Sequence, residues 1–250
     1  MEPYYQDELV TLYNCDYRDG LDLGLQPDAI VTDPPYAETS LDWDVWPVGW
    51  LEDAASLTST LWCFGSFRMF QEHAAEFSAW KLAQDTVWEK HNGSGASADR
   101  FRRVHEFAVQ WYRGEWGAIY NAPPKTPDAV RKTVRRKERP PHWGEIEDSN
   151  YASEDGGDRL MRSVIKLRSM HGRAINETEK PVPLVNVYVE CSVPPGGLVV
   201  DFFAGSGSTG LAARQLGRRA VLFEKRTEQC RTTAQRLERE THVPLFGGAA

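Results

Sequence analysis

Apolar positions along the chain fall into short blocks set apart by turn residues. Leu9-Val10-Thr11-Leu12-Tyr13 alternates with the period of a strand, and Asn14-Cys15-Asp16 closes it with residues suited to a turn. Asp28-Ala29-Ile30-Val31-Thr32 reads as a short buried strand. Pro34 and Pro35 stop it, because neither can donate to a sheet ladder and both fix φ. The pattern then predicts a helix from Trp50 to Leu61, a strand from Leu61 to Gly65 and a helix from Phe67 to Ala79. Two further strands, Gln84 to Lys90 and His105 to Tyr112, flank a loop containing Gly93, Gly95, Arg100, Arg102 and Arg103. From Gly114 to about Glu177 periodicity fades, with Pro123-Pro124, Pro127, Pro140-Pro141 and Gly156-Gly157 in the stretch. A connection of this length implies either function or disorder. Order returns at Pro181, which suits a first helical turn, and Val182, Val185, Tyr188 and Val189 recur at helical spacing. Leu198-Val199-Val200-Asp201 is a buried strand, Leu211 to Leu216 a helix, Arg219 to Glu224 a strand and Thr227 to Glu240 a charged helix. Strands alternating with helices predict an α/β domain with a largely parallel sheet.

Composition narrows the classes. The 250 residues fit one large domain, or one domain carrying a sizeable insertion. A net charge of −7 argues against a protein that coats DNA by overall positive charge, and leaves room for a local basic face. Cys15, Cys63, Cys191 and Cys230 are scattered, without a C-x-x-C pair, so we expect reduced structural thiols, no zinc and a cytoplasmic protein. The opening Met1 to Glu8 does not read as a signal peptide, and no apolar run approaches membrane-spanning length.

Two stretches carry chemistry. Asp33-Pro34-Pro35-Tyr36 holds a carboxylate, rigid carbonyls and an aromatic ring at the mouth of a strand. That set offers acceptors for the N–H groups of a planar nucleobase amine and a face for stacking, although a plain Pro-rich turn has the same letters. Gly205, Gly207 and Gly210 satisfy G-x-G-x-x-G between a strand and a helix, and Glu224 ends the next strand. NAD is the obvious ligand of such a loop, with its pyrophosphate on the helix N-terminus. Asp201, directly before the loop, would repel a pyrophosphate and favour an ammonium group. S-adenosylmethionine carries that ammonium, a ribose diol for Glu224 and no phosphate. A glycine-tightened turn with capping acids and no ligand is the remaining reading.

A basic block interrupts the acidic chain. Lys125, Arg131, Lys132, Arg135, Arg136, Lys137 and Arg139 face only Asp128 and Glu138. The block is either a solvated tether or a phosphate-gripping segment that orders on nucleic acid.

Taken together, Asp33-Pro34-Pro35-Tyr36 and Asp201-Phe202-Phe203-Ala204-Gly205-Ser206-Gly207-Ser208-Thr209 resemble the amino-group DNA methyltransferases, in the chain order of their β class. Leu12 to Asp16 is similar to the strand whose acid, here Asp16, approaches the cofactor adenine. Val87 to Lys90 and His105-Glu106 resemble the mid-region strands. Thr178-Glu179-Lys180-Pro181 resembles the segment whose lysine lies near the methionyl carboxylate. Phe202 stands where that family usually has proline. The resemblance implies a Rossmann-like fold with a mostly parallel seven-stranded sheet flanked by helices, in circularly permuted order. It implies a catalytic half over 1–113, a target-recognition insertion over 114–177 and a cofactor half over 178–250. Asp33, Pro34, Pro35 and Tyr36 would be catalytic. Asp16, Asp33, Lys180, Asp201, Phe203 to Thr209 (Phe203, Ala204, Gly205, Ser206, Gly207, Ser208, Thr209) and Glu224 would hold S-adenosylmethionine. Arg100, Arg102, Arg103 and the basic block would contact double-stranded DNA, and no metal is required. The implied reaction methylates adenine N6 in a flipped base. Cytosine N4 is the runner-up, since relatives acting on it more often have Ser in place of Asp33. Competing with both are a protein-glutamine or RNA methyltransferase, an NAD-dependent oxidoreductase and an idle DNA-binding decoy. A homodimer, and a separate restriction endonuclease or none, stay open as partners.

Overall fold

The computed structural model describes residues 1–94, 98–135, 150–170, 174–176 and 178–241. Its strands are β1 (Tyr5–Gln6), β2 (Val10–Tyr13), β3 (Ala29–Thr32), β4 (Thr60–Gly65), β5 (Lys81–Ser94), β6 (Arg103–Tyr112), β7 (Lys125–Thr126), β8 (Lys132–Arg135), β9 (Asn150–Ser153), β10 (Arg159–Leu160), β11 (Val164–Lys166), β12 (Leu198–Asp201) and β13 (Arg219–Phe223). The α-helices are α1 (Trp50–Leu57), α2 (Phe67–Glu72), α3 (Val182–Ser192), α4 (Ser208–Gln215) and α5 (Thr227–Thr241).

The chain forms two compact units, Met1–Ala122 with Ser163–Ala250, and Pro123–Arg162. In the first, nine strands make one sheet in the order β1-β2-β13-β12-β3-β4-β6-β5-β11. That corrects the expected seven. Tyr5–Gln6 and Val164–Lys166 are edge strands of two and three residues, too short to leave a period in the sequence. Five of the eight pairings are parallel, including every step from β2 through β13, β12 and β3 to β4. The second unit contains two antiparallel pairs, β7 with β10 and β8 with β9, where the sequence showed little period.

Central strands covered on both faces read as unbroken apolar runs, and all residues of β3 and β4 are buried. Alternation still sorts β4. Leu61 and Cys63 join Trp50, Met69, Phe77 and Phe202 in one core cluster. Trp62 and Phe64 turn the other way, onto Tyr188 of α3, at ring separations of 4.5 and 5.3 Å. The predicted helix to Leu61 stops at Leu57, because extended Thr58 instead donates its hydroxyl to the Asp28 carbonyl. The predicted helix from Phe67 to Ala79 ends at Glu72, with a separate 3₁₀ turn at Glu76–Ala79. Between them His73 meets Glu76 at 2.8 Å and stacks on Trp46 at 3.7 Å, a tertiary contact that overrides helical spacing. α4 begins three residues earlier than expected, capped by Gly207 at φ 76°.

Candidate active site

Thr32 and Asp201 end neighbouring parallel strands, and ligands gather at such carboxyl ends. The Thr32 hydroxyl donates to Asp201 Oδ1 at 2.7 Å, and the Thr209 hydroxyl to Oδ2 at 2.6 Å. The Phe203 amide adds a bond at 3.1 Å. Asp201 therefore braces β3, β12 and α4 together at one corner. Burial raises its carboxyl to about 6, against the pull of these donors.

The glycine turn is built from the backbone. Gly205 and Gly207 sit at φ 49° and 76°, a region costly for any side chain. Gly210 serves close packing instead, since a Cβ there would stand 2.7 Å from Leu222 and 3.0 Å from Val10. Glu224 receives the Gly205 amide at 3.0 Å and the Arg226 amide at 2.9 Å. Arg236 donates to the Ser206 carbonyl and pairs with buried Glu179 at 3.0 Å. Ser208 donates to the Lys180 carbonyl at 2.7 Å, which joins the turn to the segment bearing that lysine.

At the end of β3, Asp33 leaves the sheet and Pro34-Pro35 turn the chain. The Tyr36 hydroxyl donates to Asp33 Oδ1, and the Lys180 ammonium to Oδ2. Lys180 also lies 3.5 Å from Glu106, whose other oxygen is paired with Lys90. The result is a largely buried row of alternating charge: Lys90, Glu106, Lys180, Asp33. Burial raises the Asp33 carboxyl, with Lys180 opposing and Glu106 adding to it. Burial disfavours the Lys180 charge, but Asp33 and Glu106 outweigh it and the ammonium is held more firmly than usual. Burial and the neighbouring carboxylates push the Tyr36 phenol well up. Ala37 follows at φ 57°, the one non-glycine residue with positive φ among those described. Asp44 fixes it, accepting the amides of Ala37, Glu38 and Thr39 at 2.9, 3.0 and 2.7 Å.

A cavity of about 510 Å³ opens between these two corners. It brings together Asp16, Asp33, Pro35 and Lys180 with Asp201, Phe203, Ala204, Gly205, Ser206, Ser208, Thr209 and Glu224. Pro34, Tyr36 and Gly207 are not among the residues that line it. Its size suits a small cofactor, and its mix of aromatic wall and carboxylates suits a cationic one with a flat base. Sequence reasoning missed Trp43 and Arg226, which line the cavity as a stacked pair 4.5 Å apart. A tryptophan set among loop acids was the available signal. It also missed Asn176, and the contact of Glu106 with Lys180, for which no local signal exists.

Arg100, Arg102 and Arg103 stand on the β5–β6 hairpin, with Arg103 paired to Glu38 at 3.4 Å. Lys125, Arg131 and Lys132 are exposed on the second unit. Arg135 ends β8, while Arg136, Lys137 and Arg139 lie outside the described residues. All four cysteines are free thiols, three of them buried. Among the described residues no group of His, Cys, Asp and Glu is arranged to hold a metal ion, and no helix is long and apolar enough to cross a membrane.

The chain is 26% identical over 166 residues to the Type II methyltransferase M.XycI of Xanthomonas campestris pv. cyanopsidis, a match covering 66% of this chain and 47% of that protein. It is 24% identical over 186 residues to M2.DpnII of Streptococcus pneumoniae, covering 74% and 62%. It thus spans about half to three-fifths of the length of these curated relatives. Its fold matches that of M1.HpyAVI, solved in complex with SAM, at TM-score 0.63 and 23% identity over 91% of this chain and all of the other. The cytosine-N4-specific PvuII DNA methyltransferase matches at 0.62 and 17%, over 94% and 88%. The family model described as DNA methylase, of the N6/N4 type, matches residues 27–235, from before β3 into α5, and the chain belongs to that family.

Proposed function

We propose that the chain transfers a methyl group from S-adenosylmethionine to the exocyclic N6 amine of an adenine in double-stranded DNA. The supporting observation is the convergence of Asp33 and Pro35 with the Gly205 turn on one cavity, in a chain of the DNA methylase family. When bound, S-adenosylmethionine supplies an electrophilic methyl on a sulfonium. Glu224 and Asp16 would hold its ribose and adenine side, Trp43 and Phe203 its flat face, and Lys180 its carboxylate. Asp201 fixes the corner and lends negative charge toward the ammonium.

The amine of adenine is a poor nucleophile, because its lone pair is delocalised into the ring. Tyr36 offers a face to a base drawn out of the stack. Asp33 Oδ1 and the Pro34 carbonyl accept the two N–H groups, favouring positive charge as it develops on nitrogen. The Tyr36 hydroxyl donates to Oδ1, so it yields that position to the amine. Lys180 holds Oδ2 and keeps the carboxylate oriented throughout. The rigid Pro-Pro turn supplies alignment. Asp33 in place of serine favours adenine, and cytosine N4 presents a similar amine to the same acceptors. The compact unit Pro123–Arg162, with Lys125, Arg131 and Lys132 exposed, is the proposed target-recognition region. Incubation with labelled S-adenosylmethionine and unmethylated DNA, followed by base analysis, tests the whole reading. Label on N6-methyladenine is expected; label on N4-methylcytosine would change the base, and no label would remove the reading.

A further inference from the structure

The β5–β6 hairpin outlasts the sheet to which it belongs. Gly65 ends β4 opposite Phe107, yet β6 begins at Arg103, where it pairs with Ser94. Thr32 stands opposite Cys63 in the parallel β3–β4 pair, so the projecting end rises on the side where Asp33 leaves β3. Its root is tied there. Arg103 pairs with Glu38, two residues past Tyr36, and Glu38 accepts the hydroxyl of Ser66, the N-cap of α2. Lower on the same hairpin Lys90 pairs with Glu106, which lies 3.5 Å from Lys180.

Phe101 stands on this projection with its side chain wholly exposed. A lone exposed apolar residue means little. This one is flanked by Arg100, Arg102 and Arg103, on the side of the sheet where Asp33 leaves β3. Gly93 makes room for Arg102, since a Cβ there would stand 2.0 Å from its Cγ. Arg100 is held by exposed Asp99, a pair easily exchanged for a phosphate. Below Phe101 an aromatic row continues, His105 against Phe107 at 5.4 Å and Phe107 against Phe67 at 6.3 Å, with Phe67 largely exposed. Aromatic rings interleaved with arginines suit nucleic acid, where bases stack and phosphates are neutralised.

We propose that Phe101 is the wedge that enters the duplex where the target base has left, while Arg100 and Arg102 grip the flanking phosphates. Extruding a base strips its neighbours of stacking, and an apolar ring inserted in the gap restores it. The wedge rests on the methylation reading above and concerns only how the base is drawn out. It is a positioning residue, without contact to the reacting atoms.

The test first reads which sequence the wild-type chain modifies in unmethylated plasmid DNA. Duplex oligonucleotides of that sequence then carry the target base either paired or opposite an abasic site. Phe101→Ala is expected to slow transfer to the paired target by about 10- to 100-fold, the scale set by a few kcal/mol of unstacking. On the abasic duplex it should fall within about threefold of wild type, because little extrusion work is left. Phe101→Trp should retain transfer to both. With 2-aminopurine at the target position, fluorescence should rise on binding wild type and stay low with Phe101→Ala. Equal rates for Phe101→Ala and wild type on the paired duplex, or an equal loss on both duplexes, would overturn the wedge. Failure of the wild-type chain to label any DNA would instead remove the reading beneath it.

Discussion

The two strand ends that meet in the cavity are built on opposite plans. The turn after β12 is made of backbone: glycines at positive φ, with amides and carbonyls answered by Glu224, Thr233, Gln229 and Arg236. The corner after β3 is made of side-chain charge, with Asp33 balanced by Lys180, Lys180 by Glu106 and Glu106 by Lys90. Backbone geometry is fixed before any ligand arrives. Balanced charges hold their places only while every partner is present, and can be exchanged for a ligand's groups. The first plan suits holding a cofactor, the second a step in which charge appears on a reacting nitrogen.

Removing the central cation tests the second plan most severely. Lys180→Met leaves Asp33 and Glu106 as buried acids without their shared partner, and should cost about 3–5 kcal/mol of stability in denaturant unfolding. Adding Glu106→Gln should recover part of that loss. A double variant no more stable than the single would show that the row is not coupled. Asp33→Ala should lower the rate of methyl transfer by about 10²- to 10³-fold. S-adenosylmethionine binding, followed by calorimetry, should persist because the glycine turn is untouched. Near-wild-type turnover would end the role given to this carboxylate.

Asp201 sharpens the contrast through pH. Its folded value of about 6 lies above the ordinary 3.8, so its share of stability is fully present below about 4 and is lost as pH rises through 6. The difference amounts to about 2–3 kcal/mol. Asp201→Asn should flatten the decline between pH 4 and 6 relative to wild type in paired thermal melts. Parallel curves would mean that the carboxyl titrates normally. The smallest effect belongs to the backbone plan. Gly207→Ala forces a side chain into left-handed backbone and toward Thr233, 2.7 Å away, and should cost about 1–2 kcal/mol. An unchanged melting temperature would deny that the glycine is required.

What the sequence disclosed follows from sequence separation. Asp33-Pro34-Pro35-Tyr36 and Asp201 to Thr209 are contiguous, and each announces a strand end by its own letters. The chemistry between them is not contiguous. Thr32 reaches Asp201 across 169 positions and Lys180 reaches Asp33 across 147, so neither bond has a local signature. The letters present Asp201 as a partner for a ligand's ammonium, and the fold gives it three protein donors as well. Trp43 and Arg226 stack because a loop and a strand end converge, which no periodicity reports. The helix expected through Ala79 stops at Glu72 for the same reason, since Trp46 draws His73 out of its register. In the second unit, strands of two to four residues are too brief to alternate visibly.

The carboxylate of Asp44 gathers three successive amides just beyond Tyr36, so residues 37 to 44 form a closed loop of fixed circumference. Ser40, at its outer edge, is exposed, and its side chain can change freely. The number of residues in the ring cannot. One residue added or removed would pull the clasp away from Ala37 and rotate the tyrosine behind it, so this stretch should tolerate drift in letters and resist any change in length.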